Sequence, residues 1–193
     1  MKNLDELRDK AYQCAVTHGW HKEDMSDEHY LCLVISELME AVEAERKERY
    51  ADIDKFTKYQ HSLIYETTKE RAFINAYEEY IKGSVDEELA DACIRLFDLA
   101  GLRNIRLYNI DERQVRLPIS CPEWFFTESI YWIVCKITNV DDIDGFTLNE
   151  NLRYLIELII GLAKNRGIDI FWHIEQKMRY NELRPYKHDG KKY

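Results

Sequence analysis

Apolar residues recur along most of this chain with the period of an α-helix. Leu4, Leu7, Ala11, Cys14 and Ala15 share one face, which predicts a first helix over 4–18 that Gly19 and Trp20 bring to an end. Leu31, Val34, Ile35, Leu38, Ala41 and Val42 form a second face, with Ser26 placed as N-cap and Asp27 and Glu28 in the first turn, where the helix dipole favours anions. That helix is expected to reach about Arg49. Residues 54–82 are more weakly patterned and rich in Tyr, Glu and Lys; they predict a helical insertion, broken once and ended by Gly83. Ser84 and Glu87 have the spacing of a capping box ahead of a fourth helix over Val85–Leu102.

Beyond it, residues 104–121 read as a connection containing Pro118, and Pro122 suits the first turn of a fifth helix ending near Thr138. An acidic loop over 139–146 leads to a second capping box, Thr147 with Glu150, and a sixth helix to about Asn165. Gly167 breaks it, and a last helix is expected over 169–183, followed by a tail over 185–193. No strand is predicted. Only 7 glycines and 3 prolines punctuate the 193 residues, too few for the many tight turns of a β-sandwich or barrel. The expectation is a single all-α domain, a helical bundle.

A short internal likeness qualifies that picture. Leu99-Ala-Gly-Leu-Arg-Asn-Ile105 resembles Leu162-Ala-Lys-Asn-Arg-Gly-Ile168 at an offset of 63 residues. Either helical sequences match here by chance, or the chain holds two tandem helical halves, about 1–103 and 122–184. In the second case Asn151 and Tyr154 stand where Glu88 and Asp91 stand, and the second half has lost that acidic pair.

The fourth helix carries the candidate chemistry. From Leu89 to Leu99 it is apolar nearly all round, as buried helices are. Yet Glu88, Asp91, Arg95 and Asp98 interrupt it at spacings of 3, 4 and 3, which places all four on one stripe. A charged stripe on a buried helix must meet water, an opposite charge or a metal. On the second helix, Glu37 and Glu40 lie in an apolar strip that continues as Leu33 and Ala44. If the two helices pack together, four carboxylates converge, and their repulsion is relieved by a divalent cation. Oxygen ligands without His or Cys favour Mg²⁺, with Mn²⁺ as the alternative. The competing interpretation is a pair of solvated faces, or a stripe neutralised by Lys and Arg.

Charge sharpens the contrast between the two ends. The formal net charge is -9, but residues 177–193 hold six Lys/Arg and two Asp/Glu, a net +4. Lys177, Asn181 and Arg184 are spaced 4 and 3 on one helix face, and Lys187, His188, Lys191 and Lys192 follow. Such donors suit phosphate, although a helix C-terminus also favours cations through its dipole. Trp20 and Tyr30 flank the start of the second helix and are candidates to stack on a base. The overall acidity excludes a general nucleic-acid binder. No run approaches the roughly 20 apolar residues of a membrane span. Cys14, Cys32, Cys93, Cys121 and Cys135 are odd in number and lack C-x-x-C spacing, so reduced thiols and a cytoplasmic location are expected. Phosphate-binding Gly-rich loops and the G-x-S-x-G signature are absent from the sequence.

Ser36-Glu37-Leu-Met-Glu40 and Glu87-Glu88-Leu-Ala-Asp91 resemble the paired E-x-x-E and E-x-x-D motifs of the all-α nucleoside triphosphate pyrophosphohydrolases, the superfamily of MazG, the dimeric dUTPases and phosphoribosyl-ATP pyrophosphohydrolase. The run over 87–101 is similar to MazG-like proteins in particular. The resemblance implies that Glu37, Glu40, Glu88 and Asp91 bind Mg²⁺ and form the catalytic centre, with Asp98 one step further along assisting a metal or a water. It implies hydrolysis of a (d)NTP to the monophosphate and pyrophosphate, by attack of a water on the α-phosphorus, with Glu40 the carboxylate expected to position it. Lys177, Asn181, Arg184, Lys191 and Trp20 are the expected substrate contacts; MazG-like chains similarly end in a segment rich in Lys, Asn and Arg. Single-repeat members associate to complete their bundle, whereas a tandem-repeat chain can complete it alone or dimerise; a homodimer is one of the arrangements the resemblance allows. Two departures stand out: Ser36 replaces the first Glu of the family's E-E-x-x-E, and residues 41–87 make a longer gap than usual. A non-catalytic helical bundle that binds a nucleotide or a partner protein is the alternative.

Overall fold

The computed structural model describes residues 1–23, 25–63, 65–111, 115, 125–140 and 148–186. Among them are the helices α1 (Leu4–Thr17), α2 (Asp27–Arg46), α3 (Ile53–Leu63), α4 (Lys69–Tyr80), α5 (Val85–Leu102), α6 (Phe126–Thr138), α7 (Leu148–Asn165) and α8 (Ile170–Glu182). The all-α expectation holds, and no helix among the described residues is long and apolar enough to cross a membrane. Helix α5 is the axis of the molecule. It packs against α1, α2, α7 and α8, while α6 bridges α2 and α7. Leu89, Ala92, Cys93, Leu96, Phe97, Leu99 and Ala100 of α5 are fully buried, each larger side chain contributing about 1.5–3 kcal/mol by leaving water.

Several boundaries differ from those the sequence predicts. Helix α2 stops at Arg46, because Glu48 turns left-handed (φ 52°). Ser26 does sit at its N-cap, without a side-chain capping bond. The insertion is a hairpin of two helices, α3 and α4, whose Phe56, Phe73 and Tyr77 form a second core with Trp172 and Tyr180 of α8. Ser84 caps α5 as expected, accepting from Glu87 N–H at 3.2 Å, but the Glu87 carboxylate does not return to the Ser84 amide; it accepts from Gly83 N–H instead. A two-residue antiparallel pair, β1 (Lys2–Asn3) with β2 (Asn109–Ile110), was not predicted. It is fastened by Asp5, which accepts from Leu107 N–H at 2.9 Å. Pro118, Cys121, Pro122 and Thr147 lie outside the described residues.

The internal likeness falls on two helix ends of one geometry. Asn104 (φ 55°) and Gly167 (φ 72°) are left-handed, and the next amides, Ile105 and Ile168, donate back to Ala100 and Ala163 at 2.8 and 3.0 Å. Helices α1 and α2 end the same way, with Trp20 N–H on Ala15 O at 3.0 Å and Arg49 N–H on Ala44 O at 2.9 Å. The shared sequence therefore marks a way of stopping a helix that is not special to those two segments. Asn151, the residue aligned with Glu88, is buried and donates to the Val140 carbonyl.

Close packing of α1 on α5 depends on Gly101. A Cβ there would lie 2.5 Å from the Tyr12 Cβ, too close for either backbone to ignore. Gly101→Ala is expected to lower stability by about 1–3 kcal/mol, outweighing the roughly 1 kcal/mol that Ala gains over Gly in helix propensity. A urea denaturation midpoint that stayed level or rose would show that α1 yields freely.

Candidate functional site

A cleft of about 460 Å³ opens beside α5, between α2, the end of α1 and α8. The helical spacing read from the sequence turns out to aim one stripe into it: Glu88, Asp91, Arg95 and Asp98 all line the cleft. Glu37 and Glu40 face them from α2, and Lys177, Asn181 and Arg184 from α8. Trp20 and the small residues Ala11, Cys14 and Ala15 line the α1 side. Tyr30 is buried in the core against His21 and His29, and Lys191 lies outside the described residues, as do Lys187, His188 and Lys192.

The carboxylates do not all stand in the same relation. One oxygen each of Glu37, Glu40 and Glu88 lie within 4.8 Å of one another, close enough to share a cation. Glu37 and Glu88 are buried and Glu40 is exposed, so the trio has one side open to solvent. Burial, followed by repulsion from Asp91, pushes Glu37 up to about 7 despite the Arg95 guanidinium 3.1 Å away. Burial, then Glu87 and Asp91, pushes Glu88 up to about 8. Without a cation Glu37 and Glu88 therefore hold protons near neutral pH. This donor set of carboxylate oxygens alone fits Mg²⁺ or Mn²⁺, and a divalent charge would offset the repulsion that raises both groups.

Asp91 borders the trio but is not within it; its carboxylate is bound by Lys177 Nζ at 2.8 Å. Burial works to raise its pKa, and the Lys177 and Arg95 charges overcome that and hold it below the ordinary carboxylate range. Asp98 corrects the expectation of a helper at the metal. His21 Nε2 lies 2.7 Å from its Oδ1, and its carboxylate is absent from the acidic trio. The imidazole engages Asp98 about two helical turns beyond Asp91.

Three contributors were not singled out from sequence as parts of the site. Glu87 was read as a cap, yet it accepts from Lys177 Nζ at 2.5 Å and from Tyr77 OH at 3.1 Å. Tyr77 belongs to the insertion, whose pattern was too weak to single it out. His18, also on the cleft, has Nδ1 2.8 Å from the Cys14 carbonyl and Nε2 3.0 Å from the Arg184 carbonyl, tying the end of α1 to the end of α8. Tyr186 reinforces that tie by setting the hydroxyl end of its ring against Gly19, whose φ of 78° and missing Cβ make the space. Asn181 Oδ1 is buried with no hydrogen-bond partner among the described residues, as a group kept for a ligand would be.

No protein-family model matches this chain, and neither curated proteins nor solved structures give a match. What the cleft does must be argued from its own residues.

Proposed function

We propose that the chain is a Mg²⁺-dependent nucleoside triphosphate pyrophosphohydrolase of the MazG-like kind, cleaving a (d)NTP to the monophosphate and pyrophosphate. The observation that carries this reading is the meeting, in one cleft, of an acidic trio from α2 and α5 with Lys177, Asn181 and Arg184 from α8. An acidic cluster alone suits only a cation, and a basic face alone suits only an anion. Side by side in about 460 Å³, a volume typical of small-ligand sites, they suit a metal–triphosphate.

Glu37, Glu40 and Glu88 would hold the metal, with Asp91 beside them. Bound Mg²⁺ would neutralise phosphate oxygens and make a water more acidic. The protein's own groups do the rest. Glu40, the exposed member of the trio, would orient the attacking water. Lys177 and Arg184 supply cationic donors to the phosphates, and the Asn181 amide supplies a neutral one. Arg95 also lines the cleft and bonds Glu37 through its Nε and Nη2 at 3.1 Å. Trp20 and the small α1 residues leave a flatter, less polar end for the base.

The test is release of pyrophosphate from a panel of dNTPs, NTPs and modified nucleotides with and without Mg²⁺. Pyrophosphate with the monophosphate, appearing only with the metal, is the expected result. Orthophosphate in place of pyrophosphate would move the cleavage point, and no product from any nucleotide would end the enzyme reading.

A further inference from the structure

Lys177 is bound more tightly than a phosphate ligand in waiting needs to be. It is 6% exposed, and its ammonium touches two carboxylates, Glu87 at 2.5 Å and Asp91 at 2.8 Å. Those two partners differ in kind. Glu87 is 1% exposed and is itself fixed by Tyr77 OH and by Gly83 N–H. Tyr77 is in turn fully buried and stacked on Tyr180 with ring centroids 4.4 Å apart. Glu87 is therefore a rigid anchor set by the α3–α4 hairpin. Asp91 lines the cleft as Glu87 does, but it acts electrostatically on both Glu37 and Glu88. It borders the acidic trio and is engaged by Lys177 in a salt bridge.

We propose that Lys177 is an internal counter-cation that competes with the divalent metal for Asp91, while Glu87 retains it. This rests on the metal site of the proposed function and adds a coupling to it. In the metal-free cleft, Lys177 offsets part of the acidic charge. When Asp91 turns to a metal, the Lys177 ammonium keeps Glu87 and loses its second anion. A buried ammonium short of one anion seeks another, and phosphate entering the same cleft provides it. Metal and phosphate binding thus favour each other through one lysine, and by linkage the effect runs both ways. The hairpin's part is to hold Glu87 in place through the Tyr77 hydroxyl.

The test compares Mn²⁺ binding, by electron paramagnetic resonance titration, in the nucleotide-free wild type and in the double variant Glu87→Gln/Lys177→Met. Removing both members avoids stranding a buried Glu87 charge. The expected result is that the wild type takes up Mn²⁺ and the double variant takes it up roughly tenfold more tightly. Equal or weaker binding by the variant would overturn the competition and leave the metal site standing. Binding by neither protein would remove the metal site itself, and the inference with it. If the double variant does not fold, the ammonium ¹⁵N signal of Lys177 in the wild type decides. It should shift as Mg²⁺ saturates the protein, and a signal that stays in place would refute the proposal.

Discussion

Glu88→Gln is expected to make the metal-free protein harder to unfold and to remove its Mg²⁺-dependent pyrophosphate release. Both effects come from one buried carboxylate. The pKa of Glu88 is raised to about 8 and that of Glu37 to about 7, both above the roughly 4.3 of an unfolded glutamate. Between those values the native state holds protons that the unfolded state has lost. Stability is therefore highest below about pH 4.3 as far as these groups are concerned, and falls as pH rises towards 8. Gln at 88 keeps the shape, never ionises and flattens that decline. The same change deletes one of the proposed metal ligands, and a loss of at least about a thousandfold in rate, roughly 4 kcal/mol of barrier, is expected. Melting temperatures in EDTA across pH 5–8 check the first part, with the variant above the wild type at pH 8. Saturating Mg²⁺ should raise only the wild type. A variant that kept near-normal turnover would sink the metal assignment.

The second large effect is on folding. Lys177→Met alone leaves Glu87 as a charge 1% exposed with no cation. Removing one partner of a buried pair costs about 3–5 kcal/mol, because the remaining charge is stranded. Chemical denaturation should show that loss, and adding Glu87→Gln should recover much of it, since the Gly83 amide can still donate to the amide oxygen and the Tyr77 hydroxyl oxygen can accept from the amide nitrogen. A single variant as stable as the wild type would mean that water reaches Glu87 readily, and the anchor described above would then be loose.

The sequence displayed the two faces of the cleft because both are written in helical spacing. Glu88 and Asp91 on α5, Glu37 and Glu40 on α2, and Lys177, Asn181 and Arg184 on α8 are each separated by 3 or 4 residues, and each set points one way. Their meeting was also legible, because the apolar strips around them had to pack together. What lay hidden were contacts made across the chain by residues that already had a local explanation. Glu87 looked complete as a helix cap. Asp98 continued a stripe, and nothing in its neighbourhood announced His21, 77 residues away. Tyr77 sat in a segment whose apolar side faces α8 and not the main core, so its periodicity was too faint to distinguish one tyrosine from the next.

The α3–α4 hairpin has the look of an ornament, a length of chain that widens the gap between two motifs. Its contacts say that it cannot be cut away to shorten that gap. Splicing the chain from α2 directly to α5 would strip Trp172 and Tyr180 of the rings that cover them. It would also leave Glu87 without its hydroxyl donor. A chain shortened in this way would be left with a bare aromatic flank on α8 and a less firmly anchored Lys177.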